Sequence, residues 1–351
     1  MPENIVVGAG LSGLVAAINL AREERNVLVL DRERKIGGSR LFHPSTHITP
    51  IDRRKTWEYI GINLDPFFVN LTSMKFHIEN RAWKVNHKPI YMVERGDRES
   101  SLDTFLYNEA LRAGVKFEFG KNIESKSDVE ALPPDTIIAT GMYPEMFKLL
   151  ALPFRECEAH IATTETERNA ECQGYWGHYT GDYAYTASLN GLLMTLVFNE
   201  NGLRKDARRK YERILLETER LELKNWKVSW AAAATKPTLF HGKFILTGSI
   251  GGWQDPIMFF GIAGAATSGR TAALAVSDRE RALNDFTSFT RFYRRTMFAR
   301  KVYRALPWTI MKPLGTALLA NPDRFALLVD NLQKGIPAFR GERYFQKYRE
   351  E

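Results

Sequence analysis

Asn4-Ile5-Val6-Val7-Gly8-Ala9-Gly10-Leu11-Ser12-Gly13-Leu14-Val15-Ala16-Ala17-Ile18-Asn19-Leu20 is the stretch that decides how this chain folds. A short apolar, β-branched run enters a glycine turn, and a longer apolar run with helical character leaves it. Gly8 allows the tight turn, Gly10 lets the backbone approach a pyrophosphate, and Gly13 lets helix and strand pack closely. The helix start, from Leu11 and Ser12, supplies unbonded N–H groups and the positive end of a dipole for phosphates. A second strand, Val27-Leu28-Val29-Leu30, ends on Asp31, 18 residues beyond Gly13, where a carboxylate can accept both ribose hydroxyls. Glycine turns also serve as plain structural turns. Here strand, helix and acid all fall where a dinucleotide needs them.

Later segments return to the same site. After Asp31 and Arg32 comes Ile36-Gly37-Gly38-Ser39-Arg40, a second glycine pair at the phosphate end. Asp135-Thr136-Ile137-Ile138-Ala139-Thr140-Gly141 reads as a strand running into a tight turn. Phe244-Ile245-Leu246-Thr247-Gly248-Ser249 is a further strand. It leads through Asp255-Pro256 to a helix that starts near Gly261-Ile262 and contains Ser268-Gly269-Arg270.

A nicotinamide-only dinucleotide domain has no need of that last element. With it, the sequence resembles the FAD-dependent oxidoreductases of the glutathione-reductase type 2 group, which includes geranylgeranyl reductases, amine oxidases, phytoene desaturases and aromatic hydroxylases. Within the group it looks most like the geranylgeranyl-reductase-like proteins. The carrying residues are Val93-Glu94-Arg95, Leu102 to Leu106 and Ala110-Leu111-Arg112-Ala113-Gly114-Val115. The likeness covers roughly residues 1–50, 90–141 and 238–275. It implies FAD as cofactor, held by Gly8, Gly10, Leu11, Ser12, Gly13, Asp31, Arg32, Gly37, Gly38, Ser39, Arg40, Arg95, Thr140, Gly141, Gly248, Ser249, Asp255, Gly261 and Ile262. It also implies that the late helix start faces the flavin and favours negative charge on its reduced form. Ser249 stands where the family usually has Asp, which implies a weaker hold on the ribityl chain. The aromatic and Phe-Pro pattern of the reductases' substrate sheet is missing, so the isoprenoid substrate does not follow.

The expected architecture is α/β: a Rossmann-like FAD-binding domain, with a parallel sheet flanked by helices, interleaved with a β-rich substrate domain. The FAD domain takes residues 1–50, 95–150 and 238–281, and the substrate domain takes 51–94 and 151–237. The substrate domain shows short strands at 67–93 and 155–198, a charged helix near 203–221 and a strand over 226–234. Residues 282–351 form a helical C-terminal region. There Phe286, Phe289, Phe292, Tyr293 and Phe298 alternate with Arg291, Arg294, Arg295, Arg300, Lys301 and Arg304. These aromatics either pack on the body beneath a solvated basic face or form a surface that docks on anionic lipid or an acidic redox partner.

The 351 residues suit two lobes better than one core, and 44% hydrophobic with 26% charged residues is an ordinary globular composition. A net charge of +8 favours acidic partners: an anionic substrate, an acidic electron-transfer protein or a membrane surface. No recognition motif for nucleic acid appears. The dinucleotide strand starts at residue 4 and no run is long enough to span a bilayer, so the expectation is a cytoplasmic protein, at most peripheral on the membrane. Cys157 and Cys172 form no C-x-x-C pair, which argues against a redox dithiol or a metal site and for two reduced core thiols.

A bound flavin performs hydride transfer, leaving shape and protons to the protein. The loop Leu41-Phe42-His43-Pro44-Ser45-Thr46-His47 approaches the isoalloxazine in the resembling families. His43 and His47 are therefore the candidate proton donors or substrate anchors, with imidazole able to exchange a proton near neutral pH. Tyr185 is a third candidate, and Tyr183 and His178 are possible neighbours on the substrate face. The favoured activity is hydride transfer to or from an apolar or amphiphilic substrate, of C=C reductase or dehydrogenase type. The alternatives are an FAD-dependent hydroxylase and a non-catalytic flavin-binding electron-relay subunit. The halogenases' W-x-W-x-I-P is absent, and Ala139-Thr140-Gly141 lacks the Asp-Gly usual in hydroxylases. No second glycine fingerprint provides a resident NAD(P)H domain. The electron donor is then transient NAD(P)H, an acidic ferredoxin-like protein or the substrate itself.

Overall fold

Alternation of buried residues along the first strands sends Val6 and Val29 to one side of a sheet and Val7 and Leu30 to the other. Both faces must therefore be covered, as in a parallel α/β layer. In the computed structural model, which describes residues 4–39, 42–79, 81–85 and 90–339, they are. Strands β1 (Asn4–Val7), β2 (Val27–Asp31), β8 (Lys116–Phe119), β9 (Ile137–Ile138) and β16 (Phe244–Leu246) run parallel, and β15 (Phe240–His241) adds an antiparallel edge. The spatial order is β15-β16-β9-β1-β2-β8. One face carries α1 (Leu11–Arg22), α3 (Leu102–Arg112) and α7 (Ile262–Ser277), and the other carries α4 (Lys126–Ala131) and α5 (Pro144–Leu149). A Cβ on Gly269 of α7 would stand 2.5 Å from the Ser12 carbonyl oxygen, so glycine sets how closely α1 and α7 approach.

The second sheet has seven strands in the order β14-β10-β13-β12-β11-β5-β6. These are β5 (Ser73–Ile78), β6 (Arg81–Lys84), β10 (Phe154–Glu165), β11 (Glu171–Trp176), β12 (Tyr183–Leu189), β13 (Leu192–Glu200) and β14 (Lys227–Ala234). All neighbours are antiparallel except β11 and β5. Its back face is closed by α6 (Ala207–Glu219), where Tyr175, Tyr179 and Tyr211 pack together. The helix is shorter than the 203–221 expected because Asp206 and Arg220, both in the left-handed region, end it.

A three-stranded antiparallel sheet joins the two lobes: β3 (Ser45–Thr49), β7 (Tyr91–Arg95) and β4 (Val69–Asn70), with α2 (Arg53–Ile60) between β3 and β4. β7 crosses the border expected between residues 94 and 95, whereas β3 ends at Thr49, just before the border expected after residue 50. The C-terminal region forms α8 (Arg279–Thr290), α9 (Tyr293–Ala305), α10 (Trp308–Leu319) and α11 (Pro322–Gln333). Phe286 and Phe289 pack on the buried Trp253. Arg300, expected on a basic surface, is instead buried against Asp182 and Glu200, and Arg304 pairs with the same Asp182. Among the described residues no helix is long and apolar enough to cross a membrane.

Candidate cofactor and substrate site

One cavity of about 950 Å³ runs from the first glycine turn, between the parallel sheet and the seven-stranded sheet, to the inner faces of α9–α11. Its glycine end is built by close backbone approach. Gly8 has φ +112°, and a Cβ there would stand 2.4 Å from the Ala139 carbonyl oxygen. A Cβ on Gly13 would overlap the Gly8 carbonyl oxygen. Gly10 differs: a Cβ there meets nothing within 4 Å, so it would project into open space at the start of α1. That start has no side-chain cap, and neither has the start of α7 at Gly261. Both helix ends therefore offer N–H groups and positive dipole ends where they meet the cavity.

Asp31 accepts from the Ala9 N–H at 2.5 Å and the Glu33 N–H at 2.8 Å. It organises the glycine turn while lining the cavity. Burial raises its carboxyl above the usual range, against the pull of those two N–H groups. Arg32 lies 3.2 Å over the ring of Tyr143, whose hydroxyl donates to Ser39 at 2.8 Å. Gly37 is in the left-handed region and packs on the backbone of Gly96. Arg95 grips Asp103 with two hydrogen bonds of 2.7 Å, a pair that fixes the β7–α3 turn beside the cavity. Thr140, Gly141, Gly248, Ser249, Gly261 and Ile262 also line the cavity, whereas Gly13 acts behind it. Arg40 lies outside the described residues. Asp255 does not line the cavity: its carboxylate turns inward onto the N–H groups of Ile257 and Met258, and burial raises it to about 6.

These residues fit a dinucleotide. The buried Thr140 Oγ1 and Gln254 Oε1 have no hydrogen-bond partner among the described residues, and both residues line the cavity. Gly10 and Gly141 leave open the space a Cβ would take.

At the far end Tyr183, Tyr185, Met194, Leu196 and Phe198 form one wall, and Met311, Leu314, Leu318 and Val329 another. The Tyr183 hydroxyl donates to the Met258 carbonyl at 2.7 Å. His43, His47 and Tyr185 come together. His43 Nδ1 and His47 Nε2 each lie 3.0 Å from Ser45 Oγ, and His47 Nδ1 lies 2.9 Å from the Tyr185 hydroxyl. Burial depresses His43 to about 4 and His47 to about 3, with Arg95 acting in the same direction on both. Both rings are neutral at pH 7, which corrects the expectation that either exchanges a proton near neutrality by itself. His178 is exposed and away from the cavity, where its carbonyl accepts from Arg204. The two thiols are buried and pushed up to about 12 by desolvation, so they are unreactive.

Residues 6–44 match the NAD(P)-binding Rossmann-like domain family. The whole chain superimposes on a geranylgeranyl bacteriochlorophyll reductase-like protein of Thermoplasma acidophilum with a TM-score of 0.71, over 95% of this chain and 96% of that one, at 14% identity. The chain therefore shares the fold of that reductase-like protein. Protein FixC of Escherichia coli K12 is 31% identical over 134 residues, which is 34% of this chain and 29% of that protein. Flavin-containing monooxygenase FMO GS-OX2 of Arabidopsis thaliana is 45% identical over 47 residues, 13% of this chain and 10% of that protein. These curated relatives are thus matched over less than a third of their own lengths.

The sequence pattern did not single out Tyr143, Gln254 and Ser45. Tyr143 lies two residues beyond the expected turn at Gly141, and an aromatic at that offset is a usable signal. Nothing local marks the other two.

Proposed function

We propose that the protein is an FAD-dependent oxidoreductase that transfers a hydride to or from an apolar or amphiphilic organic substrate, as a C=C reductase or dehydrogenase. The carrying observation is the continuity of one cavity from the glycine turn to the apolar walls of the seven-stranded sheet and the C-terminal helices. Bound FAD would supply the hydride chemistry. The starts of α1 and α7 would hold its anionic groups. The apolar wall excludes water and fixes the substrate by shape, as ligand pockets with few polar groups do. Tyr183, held by the Met258 carbonyl, and Tyr185 present the polar atoms of that wall. The likeness to the plant monooxygenase is short, and it supports dinucleotide binding more than oxygen chemistry.

The exposed apolar residues of the same helices, at the mouth of the cavity and beyond it, support docking on an anionic membrane. Among its described residues α10 has none buried, although it is largely apolar. Phe298 (68%), Leu327 (65%), Ile310 (49%) and Leu314 (46%) are exposed, and Phe298 and Leu314 also line the cavity, which places them at its mouth. Exposed Arg294, Lys301 and Lys312 supply the complementary charge. An apolar stripe with basic flanks is what an interfacial helix requires.

The test is product analysis under ¹⁸O₂ with amphiphilic alkenes and photoreduced holoprotein. Two added hydrogens and no oxygen label are expected. Label in the product establishes the hydroxylase reading. Oxidation of the flavin only by an acidic electron-transfer protein establishes the relay-subunit reading.

A further inference from the structure

We propose that His43, Ser45, His47 and Tyr185 form a proton relay from the rim of the cavity to its apolar interior. This deepens the oxidoreductase reading and rests on it for the use of the proton. β3 places Ser45 and His47 on one strand face, because they are two residues apart. The Thr46 hydroxyl between them donates to the Ala187 carbonyl on β12 at 2.7 Å, which fixes β3 beside Tyr185. Ser45 is fully buried, and its hydroxyl has the two imidazoles as partners. Three links of 2.9–3.0 Å then connect four side chains without a gap. Asp103, Arg95, Asp97 and Lys227 face the His43 end, and the Tyr185 end faces Tyr183 and Cys172. The chain therefore runs from a charged rim into an apolar wall.

Two proton orders satisfy every link. In the resting order Tyr185 donates to His47 Nδ1, His47 Nε2–H donates to Ser45, and Ser45 donates to His43 Nδ1. In the transfer order His43 Nδ1–H donates to Ser45, Ser45 donates to His47 Nε2, and His47 Nδ1–H donates to Tyr185, whose own proton points at substrate. When Tyr185 gives that proton to the substrate carbon that does not receive the hydride, each link shifts by one proton and His43 Nε2 takes one from solvent. The O–H bond of Tyr185 breaks and is remade from His47. All four residues begin and end neutral. A lone donor would leave a phenolate in the apolar wall or need a charged imidazole, and both are disfavoured there.

The consequence is specific. In either order both imidazoles carry their proton on the same kind of nitrogen. ¹⁵N-histidine NMR of the FAD-loaded protein at pH 7 should show His43 and His47 neutral and in the same tautomer. Ser45→Ala should leave His47 held by Tyr185 while His43 averages over both tautomers, and Ser45→Thr should restore the match. Opposite tautomers, with Ser45 accepting from both rings, would overturn the relay, as would a matched pair in S45A. If S45A fails to fold, wild type and S45T decide. Flavin absorbance of the same samples tests the cofactor reading separately. Colourless protein with matched tautomers fails that reading alone, and yellow protein with opposite tautomers fails the relay alone.

Discussion

Arg300 Nη2 stands 2.9 Å from Asp182 Oδ1, and their side chains are 2% and 1% exposed. The same guanidinium donates through Nη1 to the Ile257 carbonyl and through Nε to Glu200, both at 2.9 Å. One side chain of α9 thus joins the seven-stranded sheet to the loop that lines the cavity before α7. Because removing one partner of a buried pair strands the other charge, Arg300→Met should cost about 3–5 kcal/mol in a denaturant titration. Its FAD affinity should fall as the 255–260 loop loosens. An unchanged midpoint would show that Arg304 suffices for Asp182.

Gly10 and Gly13 should fail differently. Gly10→Val keeps the fold, since its side chain enters open space, but loses FAD, so the purified protein is colourless with wild-type circular dichroism. Gly13→Ala strikes the Gly8 carbonyl and should lower the melting temperature of the apoprotein as well. A yellow Gly10→Val protein would remove the pyrophosphate from this turn.

Acid should destabilise the protein through the two histidines. The unfolded chain takes up protons on imidazole below about 6.5, but the native state waits until about 4 at His43 and about 3 at His47. Stability therefore falls as pH drops from 6.5 towards 4, by up to about 1.4 kcal/mol per unit for each ring. Asp255 acts oppositely. Its native value of about 6 exceeds the unfolded 3.8, so its contribution is present at low pH and is lost as pH rises through 6. His47→Gln should flatten urea-derived stability across pH 4–6, and Asp255→Asn should steepen it. Parallel profiles for wild type and His47→Gln would show that His47 is not buried neutral.

Membrane docking should depend on both charge and apolar contact. Wild-type protein should sediment with phosphatidylserine vesicles and be released by salt, since exposed charges are screened over about 8 Å at physiological ionic strength. Phe298→Glu with Leu327→Glu should abolish binding even at low salt. Sedimentation indifferent to lipid charge and salt would rule out the electrostatic part.

The first lobe was legible because its signals are contiguous. The strand, turn and helix at residues 4–22 lie within one window, and Asp31 and the α7 start carry their own local patterns. The substrate lobe was legible as β-rich, but its pairing was not. β7 reads like its neighbours yet leaves the seven-stranded sheet to pair with β3, a choice made by tertiary packing. Arg300 looked like one cation in a basic run, because its acidic partners are 100 and 118 residues away. His43 and His47 were visible as titratable residues in a promising loop. Their neutrality and their link through Ser45 depend on a burial that no window of sequence shows.

The Arg300 clasp also bears on the order in which the molecule can be completed. A chain leaves the ribosome from its N-terminus, so the turn at Gly8–Gly13 emerges early. The loop and helix start that face it at 254–262, and the cation that ties that loop down at 300, emerge well after it. Until then Asp182 lacks its buried cation and the 254–262 loop lacks the side chain that ties it to the seven-stranded sheet. We therefore expect the site to be complete only when α9 has arrived, and not when the glycine turn is made.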